Sequence, residues 1–273
     1  MEVKKKAKKP INVKKPFLRG DAVDSNTPKG AFGILGVSVM MAVLFLVMGP
    51  VLMLENVMLR IVLNLSVIAV TYMMFYYYGM SSGSVAVNQG EIMYNRKENG
   101  HEVTKAELSR CFHPAKGFVT ALLGVLPLII CAVLLAVLAQ KQVSTIGVLP
   151  SWMSGMVERA EISAPIKFYQ EAGSFGIENV MRIIVRMALM PMVNLFNPGN
   201  ADNMLLMERL SPILMLLPAV AYGVGYLGGV QARSKVHSDI ARSKKRRNRK
   251  AKQQIQAKKK APVRKPKGPE QLN

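Results

Sequence analysis

A helix needs about 20 apolar residues to cross the hydrocarbon core of a bilayer, and this chain supplies four such runs. They are residues 32–54, 57–79, 117–139 and 210–230. The first is interrupted only by the Gly49-Pro50 pair, and the second ends in Tyr76, Tyr77 and Tyr78, a cluster suited to the headgroup level. Runs of this length and purity are unsuited to a water-soluble core. They imply an all-α, polytopic integral membrane protein with four transmembrane helices.

The charge distribution supports that reading. Half of the 273 residues are apolar, yet the formal net charge is +21. Residues 1–30 hold nine Lys and Arg against three acids, and residues 232–273 hold sixteen against two. The body between them, residues 31–231, is almost neutral, with twelve against eleven. A neutral apolar body between two basic tails excludes a soluble enzyme and a disulfide scaffold.

Basic residues in short flanking segments are retained on the cytoplasmic side. Both tails are therefore expected inside a cell membrane, of bacterial type, which requires an even number of crossings. The 80–116 connection carries Arg96, Lys97, Lys105, Arg110 and Lys116 and belongs inside. The 140–177 connection has Lys141, Arg159 and Lys167 against Glu158, Glu161 and Glu171, so the external segment 140–203 belongs outside. A mostly polar segment of thirty-one residues precedes the first run, which is itself as long as a span, so no cleavable signal peptide is expected.

Residues 178–196 form a fifth apolar stretch of a different kind. Glu178, Asn179, Arg182 and Arg186 fall on one helical stripe, with Asn194 at its edge. An Arg at the bilayer centre costs about 2.5–3.5 kcal/mol on insertion scales. Two arrangements avoid that cost. The helix lies in the interface and its arginines snorkel to water, or it enters the bilayer with its arginines facing a polar cavity. A fifth full crossing would export the basic C-terminal tail, so an extracytoplasmic interfacial or re-entrant helix is expected.

The connections carry weaker signals. Glu98-Asn99-Gly100 is a turn, and Thr104 with Glu107 makes a capping box that starts a short helix closed by Pro114. Residues 84–97 fit either a helix or one arm of a hairpin. Ile146–Trp152, with Met153 and Met156, is apolar enough to dip into the outer interface, and Pro198-Gly199 turns the chain before the last span. Glu208 and Arg209 lie at the mouth of that span, within reach of Glu178 or Arg182. Ala221, Gly225 and Gly229 recur every fourth residue, a spacing that permits close helix approach within the bundle or at a homodimer face.

Chemistry-bearing constellations are scarce. His101, His113 and His237 share no metal-ligand spacing with one another or with Cys111 and Cys131, which are expected to remain reduced thiols. No phosphate-binding loop or nucleophile motif is found, so no catalytic residue, metal or cofactor is expected. Asn64 is the main polar residue inside a span and is expected to bond to a neighbouring helix.

The strongest functional signal is the C-terminal tail, with Lys244, Lys245, Arg246, Arg247, Arg249, Lys250 and Lys252 close behind the last span. No Gly or Pro lies between Gln231 and Ala261, so a helix is expected to continue there. The expected function is a non-enzymatic membrane scaffold or accessory subunit. Its tails would bind anionic inner-leaflet lipid, or the phosphates of a ribosome or RNA, and homo-oligomers or other membrane subunits are possible partners. The alternative is a transport component with a polar membrane cavity lined by Asn64, Arg182, Arg186, Glu208 and Arg209.

Overall fold

A computed structural model describes residues 15–140, 159, 176–196 and 200–260. The expected interfacial dip at 146–156 and the Pro198-Gly199 turn lie outside the described residues. Seven helices are described: α1 (Thr27–Leu52), α2 (Val57–Glu98), α3 (Lys105–Ser109), α4 (Lys116–Leu138), α5 (Ile177–Ala188), α6 (Met190–Leu195) and α7 (Ala201–Lys260). Four of them, α1, α2, α4 and α7, are long and apolar enough to cross a membrane. Among the described residues there is no β-strand, only an isolated bridge between Arg19 and Phe112.

Two of the long helices exceed the spans read from the sequence. The second runs to Glu98 rather than residue 79, about 63 Å at 1.5 Å per residue. Its start is set by Asn56, whose side-chain oxygen accepts from the N–H groups of Met58 and Leu59 at 3.1 and 3.3 Å. It stops at Asn99, before Gly100 at φ 78°. The stretch 84–97 is therefore helical and no hairpin forms. The last helix begins at Ala201 and continues to Lys260, against an expected 210–230. The Thr104–Glu107 capping box is present, but the helix it opens ends at Ser109, well before Pro114.

Phe17–Gly229 forms one compact unit, and the helical residues from Val230 onward belong to a second. The first unit is a bundle in which α1 and α4 begin at one end, with α2 finishing and α7 passing there. Its central core takes Ile34 from α1, Phe75 from α2, Ala121 and Val125 from α4, and Ala219 and Tyr222 from α7. On the outward faces α1 exposes Met40 and Val47, α2 exposes Val62 and Val70, α4 exposes Val137, and α7 exposes Ile213. Apolar side chains facing outward on every long helix are costly in water and neutral in lipid.

The tightest packing joins α2 to α7. Gly79 and Gly83 on α2 and Gly225 and Gly229 on α7 let the two backbones touch. A Cβ on Gly225 would strike the Tyr76 carbonyl, and one on Gly83 the Tyr226 carbonyl. Two small-xxx-small faces meet here, a spacing that lets helix backbones approach closely.

At the end of the bundle where α1 and α4 begin, the chain before α1 is built into the fold. Leu18 N–H donates to the Gly90 carbonyl and Gly20 N–H to that of Phe112, each at 3.1 Å. Phe17 packs edge-on against Phe112, which stacks on Tyr226. Residues 17–26, read from composition as part of a basic tail, thus form a strap across α2, the α3 loop and the start of α4.

At the opposite end, where α1 and α4 finish and α2 and α7 begin, α5 and α6 pack between them. Val185, Leu189 and Val193 join Ala132, Leu135 and Ala139 of α4 and Met204, Met207 and Met215 of α7. The single stretch 178–196 is two helices broken at Leu189, with Pro191 in the first turn of α6, where its missing N–H is harmless. At 12 and 6 residues, neither is long enough to cross a bilayer.

Candidate functional site

The spacing of Glu178, Arg182 and Arg186 places them on one face of α5, and that face turns into the protein. Arg182 is 4% exposed. Its Nη2 donates to Glu178 Oε1 at 2.7 Å, its Nη1 to Asn179 Oδ1 at 3.1 Å, and its Nε to Glu208 Oε1 on α7 at 2.7 Å. Arg186 donates to the same Glu208 oxygen from Nε at 3.0 Å and from Nη2 at 2.6 Å. Glu208 is 1% exposed, and Ser211, one turn on, donates its hydroxyl back to the Glu208 carbonyl at 2.7 Å.

Two cations and two anions cancel, and the geometry is a charge-assisted network. The snorkelling arrangement does not describe Arg182, because every nitrogen of its guanidinium is turned toward a protein acceptor. The opposite face of α5 carries Ile177, Val180, Ile183 and Ile184, all exposed. The helix is therefore inverted relative to a surface helix in water, with its polar face in and its apolar face out.

Asn64 does not join this cluster. It is fully buried on α2, where its Nδ2 donates to the carbonyls of Leu52 at 3.2 Å and Arg60 at 2.8 Å. Its Oδ1 accepts from Asn194 Nδ2 of α6 at 3.3 Å, and the same nitrogen lies 3.4 Å from the Gly49 carbonyl. The two amides thus cap carbonyls that the end of α1 leaves without helical partners. Arg209 is exposed. Buried Met207 and Glu208 define the inward side of α7 here, and Arg209, a further 100° or so round the helix, falls outside it. The five-residue cavity read from the sequence is two separate polar contacts plus one surface arginine.

Gly225 and Gly229 are spent on the α2 contact within the chain, and Ala221 packs against the central core. Their partners Gly79 and Gly83 carry the same spacing of four on α2. Asn194, at the edge of the 178–196 stripe by sequence, is the partner of Asn64. Glu91 is buried on α2, His101 is exposed, and the His113 ring accepts from the Ala115 N–H at 3.2 Å. Among the described residues no group of His, Cys, Asp or Glu is placed to hold a metal.

The strap end has its own ion pair. Lys116 Nζ donates to Asp24 Oδ2 at 2.8 Å and to the Ser109 carbonyl at 2.9 Å. Burial alone would raise the Asp24 carboxyl, but hydrogen bonds from Lys116 and Thr27 outweigh it and hold the group below its ordinary value. Cys111, buried beside them, is pushed up by burial, with Lys116 opposing the shift in part.

Lys244, Lys245, Arg246, Arg247, Arg249, Lys250 and Lys252 all lie on the helical continuation of α7, and all are exposed. Against known proteins, no family model, no curated sequence and no solved structure matches this chain.

Proposed function

We propose that this chain is a four-pass, non-enzymatic scaffold or accessory subunit of a cell membrane, with both termini cytoplasmic. In this reading α5 and α6 form a re-entrant element on the outer side, and the helix beyond the last span holds phosphate-bearing partners at the inner face. Support for the membrane setting comes from the outward apolar faces of α1, α2, α4, α5 and α7. The orientation rests on the basic excess in both terminal segments and on the Lys and Arg residues of the 80–116 connection, which the retention of basic segments assigns to the cytoplasm.

The observation that carries the functional part is the run of exposed cations from Lys244 to Lys252, in the same helix as the last apolar segment. A helix anchored at one end and studded with unshielded positive charge is a phosphate-binding arm. Full-length protein in zwitterionic nanodiscs should bind polyanions in a strongly salt-dependent way. Absence of binding to any polyanion at low salt would remove this reading. The transport alternative draws no support from the Arg182–Arg186–Glu208 cluster, whose charges are already satisfied by one another.

A further inference from the structure

The cations of the C-terminal helix surround it. Seven of the nine residues from Lys244 to Lys252 are Lys or Arg, all exposed, and the helix turns about 100° per residue. Arg246 and Arg249 therefore lie on one side, while Lys244 and Arg247 lie on the opposite side. From Arg242 to Gln256 the only large apolar residue is Ile255, so the segment has no apolar face.

That distribution discriminates between phosphate-bearing partners. A bilayer is flat and meets a helix along one side. A helix is about 10–12 Å across, so cations on the far side would sit beyond the screening length of about 8 Å at physiological salt. Helices that lie on membranes also bury an apolar face, which this one lacks. Single-stranded nucleic acid is gripped by stacking bases on aromatic rings, and no aromatic residue follows Tyr226.

The major groove of B-form DNA offers phosphates on two sides. It is about 12 Å wide and admits an α-helix, whereas the major groove of duplex RNA is deep and narrow. The segment Lys244–Lys252 spans roughly 13 Å at 1.5 Å per residue. The seven cations neutralise at most seven phosphates, shared between the two groove walls.

We infer that the C-terminal helix of this membrane protein binds duplex DNA without sequence preference, lying in the major groove with Arg246 and Arg249 toward one phosphate wall and Lys244 and Arg247 toward the other. This rests on the phosphate-binding reading above and names its partner.

The test uses full-length protein in phosphatidylcholine nanodiscs, with short DNA and RNA duplexes as probes, and flotation with vesicles of phosphatidylcholine and phosphatidylglycerol as a further arm. DNA should bind with micromolar or weaker affinity at physiological salt and a log–log salt slope of about −5 to −6. RNA duplex should bind more weakly. The pairs Arg246→Gln/Arg249→Gln and Lys244→Gln/Arg247→Gln should each flatten the slope by about 2. RNA binding as tight as DNA, or an effect confined to one pair, overturns the inference. Vesicle binding without DNA binding overturns it while leaving the phosphate-binding reading intact, and binding to none of the three overturns both.

Discussion

Arg182 and Glu208, twenty-six positions apart in the chain, meet at 2.7 Å with both side chains almost sealed from the surface. That contact ties α5 to the beginning of α7. Because Glu208 is the anion shared by two arginines, its removal leaves Arg182 and Arg186 against the single carboxylate of Glu178, and breaking a buried pair in this way costs about 3–5 kcal/mol. Glu208→Ala should therefore sharply lower the thermal midpoint in detergent. Arg209→Ala, at the exposed neighbouring position, should change stability by no more than about 0.5 kcal/mol. Equal effects from the two variants would contradict the assignment.

The α2–α7 seam makes an opposed pair of predictions. Gly225→Ala puts a methyl group into the Tyr76 carbonyl and should destabilise the fold. At Gly36 on α1 a Cβ meets nothing within 4 Å. Gly36→Ala should be neutral or should stabilise by about 0.5–1 kcal/mol, the usual gain for Ala over Gly in a helix. Thermal unfolding of the two variants side by side is the check.

The strap is held partly by the Asp24–Lys116 ion pair, and its pH dependence has a definite sign. The folded Asp24 carboxyl titrates below its ordinary value of 3.8. Its contribution is present at neutral pH and fades as pH falls below about 4, through the lowered folded value. The protection factors of the Leu18 and Gly20 amides, taken against the intrinsic exchange rate at each pH, should be high at neutral pH and should fall in acid. In Asp24→Asn those protection factors should be lower at neutral pH and should converge with the unsubstituted protein in acid, where Asp24 has lost its charge.

Cys111 is fully buried, with its thiol 3.6 Å from the Glu107 carbonyl and its titration pushed upward. A thiol that resists forming thiolate reacts slowly. Native protein at mildly alkaline pH should label at Cys111 far more slowly than denatured protein, and Asp24→Asn should speed the native reaction by loosening the strap. Native labelling as fast as in denaturant would contradict the burial.

The legible parts of this fold are those with local causes. Four apolar runs announced four long helices, and the Thr104–Glu107 capping box was readable because both partners lie within one turn. The continuation of α2 to Glu98 was not, because residues 84–97 alternate small, polar and apolar groups in a way that fits two periodicities. The polar stripe of α5 was evident, but periodicity fixes only the contrast between faces and not which one turns inward. That choice was made by Glu208, on a different helix. The strap depends on Gly90 and Phe112, both more than 70 residues from Leu18, and nothing in the basic composition of the first thirty residues hints at it. The matching Gly79-xxx-Gly83 face was readable, since it carries the same spacing as Gly225-xxx-Gly229.

The number of crossings is the claim on which the proposed role depends, and substituted-cysteine labelling tests it directly. In a background with Cys111 and Cys131 replaced by Ser, single variants Glu55→Cys and Gln254→Cys are treated with a membrane-impermeant maleimide on intact cells. The four-crossing arrangement predicts that Glu55→Cys labels at once and that Gln254→Cys labels only after the membrane is permeabilised. Labelling of Gln254→Cys in intact cells would contradict it.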